Sequence, residues 1–178
     1  MKLLKWMLAL VIALVTAVFV AGQFVSTTLE VEHSTTINAP RAQIFDELIR
    51  MRSFNSFSPW YDLDPDAQYS YEGPESGIGS KMSWKSNDPN VGNGWMQIAG
   101  LSGRDKIDMT LGFDGFDGEA KSWYLLDEMN AGTRVTWGYA SDISSPFFLR
   151  FMGPFIQEQI TKNYEDGLAN LKTNMESR

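Results

Sequence analysis

Along residues 25–37, Val25, Thr27, Leu29, Val31, His33, Thr35 and Ile37 fall on one side of the chain. Ser26, Thr28, Glu30, Glu32, Ser34 and Thr36 fall on the other. A period of two with many β-branched side chains predicts a long strand. Asn38-Ala-Pro40 ends it, with Asn38 as the expected helix N-cap and Pro40 in a first helical turn. Ile44, Phe45, Leu48, Ile49 and Met51 then recur at helical spacing, and a second short helix or turn carries Phe54 and Phe57 up to Pro59-Trp60. Six strand patterns follow, at 68–72, 81–86, 95–101, 106–113, 122–127 and 133–140. Glycine- and asparagine-rich turns separate them, so hairpin succession and one antiparallel sheet are expected. The chain closes on a helical pattern from Phe147 to Met175, in which Gly153-Pro154 predicts a break and a kink. The order predicts an α+β domain, a seven-stranded curved sheet holding a long C-terminal helix. The gap between sheet and helix is a natural place for a ligand.

The first 22 residues differ from the rest. Lys2 and Lys5 are followed by an apolar run from Trp6 to Ala21, broken only by Thr16; with Leu3 and Leu4 it reaches about 19 residues. At ~1.5 Å per residue that approaches the ~30 Å hydrocarbon thickness of a bilayer. Residues 1–22 therefore predict a membrane anchor, with 23–178 as the folded domain. A signal segment cleaved after Gly22, releasing a secreted domain, is the alternative. The basic flank before the run and the acids Glu30 and Glu32 after it predict a cytoplasmic N-terminus and an extracytoplasmic domain, periplasmic in a Gram-negative cell.

Composition narrows the chemistry. The 178 residues include no cysteine and one histidine, which removes disulfides, thiolate and multi-imidazole metal sites and cysteine nucleophiles. Beyond residue 22 the chain holds 13 basic and 22 acidic residues, a net −9 that repels nucleic-acid backbones. Asp62, Asp64 and Asp66 alternate like the opening of a calcium loop, but Ala67 and Gly73 stand where that loop needs glycine and glutamate. Glycines 77, 79, 92 and 94 fit neither a dinucleotide fingerprint nor a phosphate loop, and no Gly-x-Ser-x-Gly elbow occurs. No cofactor is expected.

Aromatic residues are the remaining signal. Trp84, Trp95, Trp123, Trp137 and Tyr139 lie on predicted strands; Phe148, Phe151, Met152, Phe155 and Tyr164 lie on the final helix. Sheet and helix both supply more bulky apolar groups than a simple interface uses. These ten residues are the expected lining of an apolar cavity, with its mouth near Gly153-Pro154.

Several strings resemble the START/Bet v 1-like (SRPBCC) superfamily, in its bacterial polyketide cyclase/dehydrase-like branch. They are Thr36-Ile-Asn-Ala-Pro40 with Ile44-Phe45, Phe57-Ser-Pro-Trp60, Gly77-Ile-Gly79 before the strand with Trp84, Gly132-Thr-Arg-Val-Thr-Trp137 and Asp166-Gly-Leu-Ala-Asn-Leu-Lys172. The resemblance spans about residues 31–174 and implies a helix-grip fold around a hydrophobic cavity. Its members bind lipids, sterols, polyketides or other apolar molecules, and only some are enzymes. A membrane-anchored binding protein for a lipid-like or other small hydrophobic ligand is the expected function. The alternatives are a cyclase/dehydrase-type enzyme, with His33, Arg134 or Tyr139 as acid–base groups converging in the cavity, and a purely structural or partner-binding domain with a solid interior.

Overall fold

The protein is described by a computed structural model covering residues 2–116, 118–145, 147 and 149–178, with side chains from residue 4 onward. Helix α1 (Lys2–Gly22) is built from Leu, Ala, Met and Val and carries no charge after Lys5. Its stretch Leu4–Gly22 has a mean hydropathy of 2.4, and its side chains are exposed, with only its last turn, at Phe19 and Gly22, meeting the rest of the fold. By length and composition it is the one helix among the described residues able to cross a membrane.

Strand β1 (Thr28–Ile37) begins three residues later than the alternation predicts. The Ser26 hydroxyl accepts from the Thr28 N–H at 3.1 Å and donates to the Thr28 carbonyl at 2.8 Å, a local loop that competes with strand pairing. Helix α2 (Arg41–Leu48), a 3₁₀ turn (Met51–Ser56) and helix α3 (Pro59–Leu63) follow. The cap of α2 is the extended Pro40, not Asn38. The Asn38 backbone N–H instead donates to Glu176 Oε1 at 2.7 Å, which ties the start of α2 to the far end of the chain.

Strands β2 (Gln68–Glu72), β3 (Lys81–Lys85), β4 (Asn93–Ser102), β5 (Lys106–Phe113), β6 (Ala120–Met129) and β7 (Gly132–Asp142) form successive hairpins. Strand β1 pairs with β7, so the single antiparallel sheet reads β1-β7-β6-β5-β4-β3-β2. A register shift between Ile98 and Gly100 puts an extra residue into β4, and such bulges bend a strand and raise its twist. The curve gives the sheet an inner face: Ile37, Val135, Tyr124, Ile107, Ile98 and Met82, one from each of six strands, are all essentially inaccessible.

Helix α4 (Leu149–Glu176) closes this face. It runs through Pro154 as one element, where a break was expected. The missing proline N–H would have bonded the carbonyl of Arg150, the second helical residue, so only one bond near the helix end is lost. Tyr164, Gly167, Leu168, Leu171 and Met175 recur at steps of one, three and four and are buried. They pack with Ile44, Phe45, Leu48 and Met51 and with the inner face of the sheet into one large core. A smaller core of Leu29, Ile143 and Leu149 lies under the first turns of α4.

Candidate binding site

Trp137, at the middle of β7, organises the interior. Only 3% of its surface is accessible. It stacks on Tyr164 of α4, with ring centroids 4.0 Å apart and planes within 12°. Tyr124 lies 5.2 Å away on β6, and Phe54, Phe57 and Trp60 meet the indole edge-on at 5.8–6.1 Å. The rings come from β6, β7, α4 and the segment between β1 and β2, so the site is assembled by the closed grip. Gly167 permits the approach of α4: a Cβ there would sit 2.8 Å from the Trp137 ring. Around the aromatics stand Met51, Met82, Met96, Met109 and Met175, all buried. Unbranched thioethers fill irregular gaps and repack readily.

A thread of polar atoms runs through this apolar shell. The Trp137 Nε1–H donates to Ser122 Oγ at 3.1 Å, and the Ser122 hydroxyl donates to the Gly138 carbonyl at 2.7 Å. Burial pushes the Tyr164 phenol far up, more than the adjacent Ser122 hydroxyl draws it down. Burial also raises Tyr124, and it raises Tyr139 against the opposing pull of Ser141. All three phenols therefore stay protonated donors at physiological pH. The Tyr124 hydroxyl is fully enclosed and has no partner among the described residues. An orphaned buried hydroxyl costs free energy.

The ten expected lining residues separate into groups. Trp137, Tyr139 and Tyr164 lie on the facing surfaces of β7 and α4. Trp84 is also on the inner face, but towards the β2 edge, packed edge-on against Phe113 at 5.9 Å. Trp95 and Trp123 point to the convex side. Trp95 covers Gly112 beneath the Lys81 ammonium, which is 5.3 Å from the ring. Trp123 covers Gly138 and donates its Nε1–H to Glu32 Oε1 at 2.8 Å. Phe151, Met152 and Phe155 are exposed on the first turns of α4. Phe148 lies outside the described residues.

The parity of the strands held the correction for the two tryptophans. Met96 and Ile98 face inward on β4, so Trp95 must face outward; Ser122, Tyr124 and Leu126 do the same for Trp123 on β6. Their glycine partners, Gly112 and Gly138, stand directly across in the register. Sequence reasoning also missed Ser122 and Tyr124, which the same alternation points inward.

The space expected as a cavity between α4 and the sheet is occupied by the Trp137–Tyr164 stack. Two concavities on the described surface lie elsewhere. One, of about 500 Å³, is a polar cleft between Leu63–Gln68 and the β3–β4 loop. The other, of about 320 Å³, lies beside Arg52, Tyr71 and Lys81. In the first, Asp64 accepts from the Ser86 hydroxyl and from its own loop at the Asp66 N–H, 3.2 Å away. Among the described residues no group of three or more His, Asp or Glu is placed to hold a metal ion.

The expected acid–base groups do not converge. His33 Nδ1 lies 3.7 Å from Glu165 Oε1, while Arg134 is exposed on the face of β7 opposite to Tyr139.

A curved antiparallel sheet closed by a C-terminal helix over an aromatic interior defines a helix-grip protein. Residues 28–176 match the family described as polyketide cyclase / dehydrase and lipid transport, and the chain belongs to that family. Solved structures share the fold at low identity. A protein of unknown function from Staphylococcus aureus, SA2116, is 10% identical with a TM-score of 0.64, covering 84% of this chain and 94% of its own. Protein CV1439 from Chromobacterium violaceum is 13% identical, TM-score 0.59, covering 83% and 96%. The Aha1 dimer from Colwellia psychrerythraea is 14% identical, TM-score 0.58, covering 83% and 96%. No curated protein is significantly similar to the chain.

Proposed function

We propose that the protein is a membrane-tethered binding module for a small hydrophobic, lipid-like molecule that enters between α4 and the inner face of the sheet. The observation that carries this reading is the enclosed, unpartnered Tyr124 hydroxyl within a shell of aromatic rings and methionines. An apolar molecule with one hydroxyl, carbonyl or ester fits that combination: its chain replaces aromatic contacts and its polar atom accepts from Tyr124. The family's description, which includes lipid transport, supports the same ligand class. Binding requires α4 to move, because Trp137 and Tyr164 stack directly on each other across the space between helix and sheet. Helix α1 holds the module in the membrane, with its basic N-terminal flank in the cytoplasm and the domain on the opposite side.

Native mass spectrometry of the full-length protein extracted in a mild detergent tests the reading. A co-purifying small apolar molecule, released on unfolding, is the expected result. A bare mass from the native membrane, unchanged after incubation with long-chain alcohols and fatty acids, overturns it.

A further inference from the structure

The first turns of α4 carry large apolar side chains that the fold leaves open. Phe151 is 45%, Met152 43% and Phe155 58% exposed. Phe151 and Phe155 are one helical turn apart, at i and i+4, and so lie on one side of α4. Phe147, in the turn before the helix, extends the row by meeting the Phe151 ring edge-on at 5.4 Å. Soluble domains rarely leave such a row uncovered without a partner.

This row touches the end of α1. The Phe147 ring stacks on Phe19 at 5.6 Å. A Cβ on Gly22 would lie 2.6 Å from an atom of the Phe147 ring and 3.1 Å from Phe151. Arg150 fastens the joint: its Nη1 donates to the Gly22 carbonyl and its Nε to the Ser144 carbonyl, each at 3.2 Å. Its guanidinium also sits 5.3 Å from the Phe147 ring centre. A cation on the last carbonyls of α1 complements the negative end of the helix dipole.

We infer that the Phe147–Phe151–Phe155 row is a membrane-seated face, immersed at the interface where α1 leaves the bilayer. The inference rests on α1 spanning the membrane. Phe147 is level with Phe19, which then lies one turn inside the apolar layer, and Phe151 is level with Gly22. Phe155 follows one turn later, at most ~6 Å further along α4. The headgroup layer extends about 5–7 Å beyond the hydrocarbon on each side, so Phe155 stays within it whichever way α4 leans. The occupant is the apolar part of the lipid layer. Charge attraction to anionic headgroups is not the driving force, because the domain carries −9 and the row offers one arginine. The small core of Leu29, Ile143 and Leu149 sits under the same turns, so the seam between α4 and β1 opens beside lipid.

The chain has no cysteine, so single cysteines can each carry a small environment-sensitive fluorophore without background. The full-length protein is reconstituted in phosphatidylcholine vesicles containing nitroxide lipids. Three sites are compared: Val11→Cys in α1, Phe155→Cys, and Ile78→Cys. Ile78 is as exposed as Phe155, at 60%, but lies between β2 and β3 at the opposite edge of the sheet. Strong quenching at 11 by deep nitroxides and at 155 by shallow ones, both unchanged by 0.5 M salt, with at least several-fold weaker quenching at 78, is the expected result. Equal quenching at 155 and 78 with position 11 still quenched overturns the inference and leaves the anchor standing. Shielding of 155 from aqueous iodide without lipid quenching also overturns it, in favour of a second copy of the chain. Absence of quenching at 11 removes the anchor, and the inference falls with it.

Discussion

Tyr124 and Trp137 pull the stability of the protein in opposite directions. The Tyr124 hydroxyl is buried without a partner, a state that costs ~1–3 kcal/mol. Tyr124→Phe is therefore expected to stabilise the ligand-free protein by about 1 kcal/mol, a rise of roughly 2–4 °C in melting temperature, while weakening ligand retention. A lower melting temperature in the variant would show that the hydroxyl has a partner. Trp137→Ala removes the ring on which four elements meet and is expected to cost ~3–5 kcal/mol in denaturant unfolding. On the convex side, a methyl at Gly138 collides with the Trp123 indole, so Gly138→Ala is expected to cost ~1–3 kcal/mol. Trp123→Ala should relieve most of that penalty in a double-mutant cycle; additive effects would show that the indole does not press on the glycine. The outward position of Trp123 was legible, because Ser122 and Tyr124 flank it. The orphaned hydroxyl was not, since it depends on what four separate elements fail to supply.

At the scale of elements, hydrophobic alternation located all seven strands to within a few residues. The largest offset, at the start of β1, came from the Ser26 side chain capturing the Thr28 backbone. The helix after Pro154 was legible from its apolar spacing, and the continuous passage through the proline was not, because the cost depends on distance from the helix end. The end of α4 is held by charge as well as packing. Arg178 Nη1 donates to Glu47 Oε2 at 2.6 Å, and this contact holds the Glu47 carboxyl below its ordinary value against the opposing effect of burial. A carboxyl lowered in the folded state contributes stability above its unfolded pKa, about 4.3, and loses it as pH falls through the lower folded value. Urea unfolding between pH 7 and 3 is expected to show this loss in the native protein and to show less of it in Glu47→Gln. Identical pH profiles would mean that the ion pair contributes nothing.

For the whole molecule, one feature separates a binding module from a solid α+β domain: whether α4 can part from the sheet. In the closed state the rings of Trp137 and Tyr164 fill the interior, and five buried methionines surround them. On the proposed reading, flexible thioethers and one orphaned hydroxyl let the interior repack around a guest, which a core of branched side chains with paired polar atoms would resist. Photolabelling of the full-length, detergent-solubilised protein with a long-chain alcohol bearing a terminal diazirine tests this most directly. Saturable labelling at Tyr124, Trp137 or Tyr164, competed by unlabelled alcohol, is the expected result. Labelling confined to α1 and to Phe151–Phe155, however high the probe concentration, would contradict the account.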